Sequence, residues 1–119
     1  MQSKRKKLIN SFKYAFRGII TALKKEQNMK IHFIIALCVI IAGIILKIST
    51  MEWLICLILI GLVISLELVN TALEQTVDIA MPEINGKAKI AKDVAAGAVL
   101  VSAIISAIIG LIIFIPKIF

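Results

Sequence analysis

Along the chain, apolar and polar positions sort into four stretches with different periods. From Lys6 to Glu26, Leu8, Ile9, Phe12, Ala15, Phe16, Ile19, Ile20 and Leu23 recur at steps of three and four, while lysines and arginines fill most of the other side. That spacing predicts an amphipathic helix over 6–26 with a basic face, of the kind that lies in a membrane interface. Residues 1–5 read as a solvated lead. Ile31 to Leu46 carries no polar side chain except His32, and with its flanks it predicts a first span over 28–47, long enough to cross a ~30 Å hydrocarbon core. Lys47 to Thr50 reads as a turn in which Thr50 caps the next helix, with Trp53 at its third position.

The second span, 51–80, is where the pattern breaks its own rule. Residues 53–66 are apolar except for Ser65, and then Glu67, Asn70, Glu74 and Asp78 follow in one unbroken helical stretch. Offsets of 0, 3, 7 and 11 fall in a narrow sector of an α-helix, so the four form one polar stripe. Ionisable groups in a membrane helix are costly and mark function more often than not. Thirty residues extend about 45 Å, more than the core is thick, and Glu67 lies about 24 Å from Met51. The stripe is therefore expected to run from the membrane boundary at Glu67 into water at Asp78. Pro82 and the Asn85-Gly86 pair end this helix and turn the chain. A third span, 87–115, begins with Lys89, Lys92 and Asp93, continues through small residues around Gly97, and is uncharged from Val94 to Ile115. Small residues at that density favour close helix packing in a membrane.

Composition agrees with this reading. The chain is 61% hydrophobic over 119 residues, with a mean hydropathy of +1.03, too apolar for an ordinary soluble domain. The fold class is an all-α integral membrane protein. Its formal charge of +7 is uneven: nine of the fourteen basic residues fall in the first 30, against the single acid Glu26. No aromatic-interleaved basic patch points to nucleic acid, so the basic block reads as membrane contact and topology control. The positive-inside rule puts the N-terminus and the 81–93 connection in the cytoplasm and the C-terminus outside, in a cell inner or plasma membrane. The first apolar run begins only after about 30 residues and has no small-residue cleavage site, so a cleaved leader is not expected. Cys38 and Cys56 sit in apolar runs without metal-ligand spacing and read as packing residues.

This topology collects Glu26, the stripe, Lys92 and Asp93 on one side of the membrane, from three helices. Carboxylates at Glu26 and Glu74 suit a hard cation such as Mg²⁺, which completes its shell with water and phosphate oxygens. Lys92 can neutralise phosphate. Glu67, nearest the apolar stretch and partly desolvated, suits a general base for a lipid hydroxyl, with Asn70 one turn away to orient it. Phosphoryl transfer needs mostly positioning and charge neutralisation, which such a set can supply. On these residues alone, a polar seam that fixes an oligomer, or a small assembly or pore subunit, stands as the other reading. The apolar first half of the second span argues against a pore. No Gly-rich nucleotide loop is present.

The block Glu67-Leu-Val-Asn70-Thr71-Ala72-Leu-Glu74, with Asp78, then Lys92-Asp93 at the start of an Ala-rich helix, resembles the prokaryotic diacylglycerol kinase and undecaprenol kinase family. The likeness extends to Tyr14-Ala-Phe-Arg17-Gly18, Glu26 and the 83–86 loop, covering nearly the whole chain. It implies a homotrimeric bundle of three-span subunits with composite sites, using MgATP to phosphorylate a membrane lipid. By matching position, Glu67 would accept the proton, with Asn70 supporting it. Glu26 and Glu74 would bind metal and nucleotide phosphates, and Tyr14, Asp78, Glu83, Asn85, Lys92 and Asp93 would contact ATP. Lys7 and His32, with Glu67, would face the lipid. Lys7 stands where diacylglycerol kinases tend to carry Arg, and His32 where they tend to carry an acid. Both departures resemble the branch that phosphorylates undecaprenol, with diacylglycerol as the alternative acceptor.

Overall fold

The computed structural model describes residues 3–119. Among them the chain forms four helices: α1 (Lys4–Lys25), α2 (Gln27–Leu46), α3 (Thr50–Ala80) and α4 (Gly86–Ile118). The last three are long and apolar enough to cross a membrane. Helix α3 is central: it touches each of the others and packs most extensively on α4. The molecule measures 52 × 45 × 21 Å, and 21 Å is about two helix diameters. Few residues are buried, and isoleucines and leucines on all four helices are exposed. In water that would be prohibitive; for helices that meet lipid or other helices it is the expected surface.

Local sequence explains the boundaries, and in three places it corrects the expectations above. Helix α1 starts at Lys4, because Ser3 accepts a hydrogen bond from the Lys6 amide (3.2 Å) as its N-cap. Lys4 and Arg5 are therefore helical and not part of a solvated lead; Met1 and Gln2 lie outside the described residues. The cap of α3 is Ser49, not Thr50. Ser49 Oγ accepts from the Glu52 amide (3.2 Å), and Glu52 Oε1 accepts from the Ser49 amide (2.9 Å). This reciprocal pair is a capping box, which needs a carboxylate three residues after the cap; Ser49 has one and Thr50 has Trp53 there. Helix α4 runs past Ile115 to Ile118, with Pro116 in its last turns. Proline there removes only one hydrogen bond near an end that is already losing partners, and Lys117 pairs with Glu52 (3.0 Å), tying the end of α4 to the start of α3.

Between α1 and α2 a single residue, Glu26, leaves the helical conformation (φ −101°, ψ 119°). Its amide still closes α1 on Ala22 O (2.9 Å), and its carbonyl accepts from the Lys30 amide (3.3 Å), opening α2. The corner so formed holds the Glu26 side chain at the junction. At the other end of α2, Lys47 adopts the left-handed conformation (φ 52°) as C-cap. Ile48 then folds back into a small core with Cys56 and Ile113, against which Trp53 and Val39 pack.

Candidate active site

The polar stripe on α3 forms as the 3.6-residue period predicts, and burial grades along it. Glu67 is 2% exposed and Asn70 6% exposed, Glu74 is half-buried and Asp78 exposed. Asn70 Nδ2 donates to Glu74 Oε1 (3.3 Å), linking two members directly. Asn70 Oδ1 and Thr71 Oγ1 are buried with no partner among the described residues.

Helices α2 and α4 complete the surroundings of Glu67. His32 on α2 brings Nε2 to 3.7 Å from Glu67 Oε2. Glu67, Asn70, His32 and Asn28 line a hollow of about 240 Å³ closed on the α4 side by Ala96 and Val99.

Ala96 is shared with a second, larger cleft of about 460 Å³, bounded by Glu74, Asp78, Glu83, Asn85, Lys92 and Asp93. Its position follows from the turn: Pro82 ends α3, and Asn85 opens α4 by accepting from the amides of Lys87 (2.9 Å) and Ala88 (3.2 Å). Asn85 Oδ1 is thus committed to capping, which leaves its Nδ2 as the group for a ligand. At the mouth, Lys92 Nζ lies 2.6 Å from Asp78 Oδ1, and Lys89 Nζ 2.6 Å from Asp93 Oδ2. A third hollow, about 590 Å³, lies between α1 and α3, where Gly18 and Ala22 face Thr71 and Gln75, with Glu26 at its rim.

Six of the residues singled out from sequence therefore share one cleft, and Glu67, Asn70 and His32 share the hollow beside it. Glu26 and Glu74 line different hollows within one chain. Lys7 and Tyr14 are exposed on α1 and line none of these hollows; the Arg17 guanidinium sits 5.9 Å over the Tyr14 ring. Asn28 and Thr71 were not singled out for a role. Asn28 could have been, since it lies one turn before His32 on the same face of α2.

No group of three or more Cys, His, Asp or Glu side chains closes on one point among the described residues. Oxygen donors in ones and twos beside a phosphate-sized cleft still fit Mg²⁺, which takes most of its shell from water and phosphate. A buried carboxylate at the apolar end and a cleft of lysines and acids at the polar end are an arrangement that a helical membrane phosphotransferase could use. The chain belongs to the prokaryotic diacylglycerol kinase family, whose sequence model matches residues 13–114. It is 48% identical over 111 residues to undecaprenol kinase of Bacillus subtilis (strain 168), covering 93% of this chain and 90% of that one. It is 39% identical over 110 residues to diacylglycerol kinase of Synechocystis sp. (strain ATCC 27184 / PCC 6803 / Kazusa), covering 92% of this chain and 63% of that one. The protein is accordingly a lipid kinase.

Proposed function

We propose that the protein phosphorylates undecaprenol to undecaprenyl phosphate with MgATP. The carrying observation is the continuity of the site: the hollow of Glu67 and His32 meets the Lys92–Asp78 cleft at Ala96 and through the Asn70–Glu74 hydrogen bond. The 48% identity to an undecaprenol kinase supports that lipid over diacylglycerol.

In this reading the lipid hydroxyl sits at Glu67. Its oxygen attacks the γ-phosphorus, the bond from that phosphorus to the ADP oxygen breaks, and the hydroxyl proton passes to the Glu67 carboxylate. Burial of Glu67 suits it to this task, because a poorly solvated carboxylate gains by taking a proton. Asn70 holds Glu74 through its Nδ2 and so fixes the wall of the hollow in which the acceptor hydroxyl sits. Lys92 exchanges Asp78 for phosphate oxygens, and Glu83, Asn85, Asp93 and exposed Tyr14 bind the nucleotide, while Lys7 approaches the lipid headgroup region. Glu26 and Glu74, from neighbouring subunits, would hold Mg²⁺, and the bound ion would supply positive charge beside the phosphates.

Glu26 and Glu74 line different hollows of one chain, and α1 leaves Leu8, Phe12 and Phe16 exposed. Both features support an assembly in which neighbouring subunits complete each site, which we take to be the homotrimer that the family resemblance implies, with α1 in the interface of the cell membrane. The basic N-terminal region favours a cytoplasmic N-terminus and an extracytoplasmic C-terminus.

Purified protein in mixed micelles, given γ-labelled ATP with undecaprenol or with diacylglycerol, tests the reading. Label should enter undecaprenol faster, and a chelator should stop it. A folded preparation that labels neither lipid would overturn it.

A further inference from the structure

The Thr71 hydroxyl is buried on α3 and has no hydrogen-bond partner among the described residues. Serines and threonines inside helices commonly return their hydroxyl hydrogen to a carbonyl of the preceding turn, as Ser11 (3.0 Å), Thr76 (2.8 Å) and Ser106 (2.7 Å) do here. Thr71 does not. A buried hydroxyl left unpaired costs stability, so its presence calls for a partner from outside the chain.

Its place on α3 narrows what that partner is. Thr71 lies four residues after Glu67 and three before Glu74, one turn from each. Asn70 stands on the other flank of that line, in the hollow with His32, whereas Thr71 lines the larger hollow under α1 with Glu26 and Gly18. Ionised, Glu67 and Glu74 accept hydrogen bonds and donate none. Asn70 Nδ2 already donates to Glu74, and Leu68, Val69, Ala72 and Leu73 have no polar side-chain atom. The Thr71 hydroxyl is therefore the one uncommitted side-chain donor between the two glutamates. Small residues keep space in front of it. Ala15, Gly18 and Ala22 of α1 and Ala72 of α3 border a hollow of about 590 Å³, and a Cβ on Gly18 would touch nothing within 4 Å. Threonine in a helix divides between two χ1 rotamers, so rotation about one bond exchanges Oγ1 with Cγ2 and turns the hydroxyl to the hollow.

We propose that the Thr71 hydroxyl donates a hydrogen bond to the phosphoryl group in transfer, the neutral donor that lets a phosphate lie between two carboxylates. The hydroxyl keeps its own proton. The proton of the acceptor alcohol still goes to Glu67, and the phosphorus–oxygen bonds made and broken are those described above. This assignment rests on the kinase reading for turnover but not for nucleotide binding, and the experiment separates the two.

Binding of ADP and of AMP-PNP, whose γ-phosphoryl group is not transferred, is measured on the whole protein in mixed micelles without lipid alcohol. Turnover is measured alongside with γ-labelled ATP and undecaprenol. Thr71→Val keeps the shape of the side chain and removes the donor. It should raise the Kd for AMP-PNP about tenfold and lower kcat about tenfold or more, the weight of one hydrogen bond to a charged group. The Kd for ADP should not move, and the melting temperature should hold or rise because the unpaired hydroxyl is gone. Thr71→Ser restores the donor and should recover most of the AMP-PNP affinity and of kcat. Lost AMP-PNP affinity in Thr71→Val, with no lipid labelled even by the unaltered protein, would sink the kinase reading and sustain the phosphoryl contact. Unchanged AMP-PNP affinity would overturn the proposal. So would ADP and AMP-PNP weakened equally, or an oligomer that falls apart in Thr71→Val, which would make the hydroxyl an assembly contact.

Discussion

His32 Nε2 stands 3.7 Å from Glu67 Oε2 across the α2–α3 seam. That is too long for a direct hydrogen bond and close enough for an electrostatic contact. A histidine one turn inside α2 thus fixes the electrostatic surroundings of a carboxylate near the middle of α3. Glu67, His32 and Asn70 line the same hollow.

Glu67→Gln keeps the shape and hydrogen-bonding capacity of the side chain and removes its ability to take a proton. Turnover should fall by about 10²–10⁴-fold, the usual weight of a positioned base. Circular dichroism and oligomer size in detergent should be unchanged. A polar seam serving only assembly would tolerate the amide, so retained turnover would return the stripe to a structural role.

His32→Ala should lower kcat by roughly tenfold to a hundredfold through a misplaced base. The KM for ATP should hold, because the Lys92–Asp78 cleft, proposed for the nucleotide, does not include His32. His32→Gln, which can still donate toward Glu67, should recover part of the loss. Equal damage to kcat and to the ATP KM would mean a folding defect instead.

Asn70 carries a conflict between stability and function. Its Oδ1 is buried and unpartnered, a situation that costs about 1–3 kcal/mol. Asn70→Leu removes the unpaired atom and the Glu74 contact together. The melting temperature in detergent should rise or hold while turnover falls at least tenfold. A fall in both would show that the Asn70–Glu74 hydrogen bond supports the fold.

Lys92 and Asp78 form an exposed ion pair at the cleft mouth. Exposed pairs of this kind do little for stability, so Lys92→Ala should leave the melting temperature nearly unchanged. Loss of one charged contact to phosphate should raise the ATP KM about tenfold to a hundredfold. Asp78→Asn frees the lysine without removing it and should do less harm. An ATP KM unmoved by Lys92→Ala would exclude this cleft as the phosphate site.

How much of this was legible in the sequence depends on the range of the interaction. The stripe from Glu67 to Asp78 was legible because one helix and one period fix it. The Lys92–Asp78 cleft was legible in part, because Pro82 and Asn85 force a tight turn that brings Asp78 back toward Lys92. The cap of α3 was misread although Ser49-x-x-Glu52 was in view: two adjacent hydroxyl residues competed, and the carboxylate three positions on decides between them. The His32–Glu67 approach was implied only by the family resemblance, because it depends on the relative register of two apolar helices whose side chains carry no pairing code.

Gly43 tests that register from the far end of the seam. A Cβ at this position would meet Trp53 at 2.7 and 2.9 Å and Ile48 at 3.0 Å. The Trp53 ring is rigid and packs against the Ile48–Cys56–Ile113 core, so it has little room to withdraw. Gly43→Ala should therefore destabilise the protein by about 1–3 kcal/mol, the usual cost of overpacking, despite the higher helix propensity of alanine. Trp53→Phe shortens the opposing side chain, so the double variant should lose less than the sum of the two single changes. Thermal melts of the four proteins in one detergent measure that coupling. Additive losses would mean that α2 and α3 do not meet at this register, and the position assigned to His32 would fall with it.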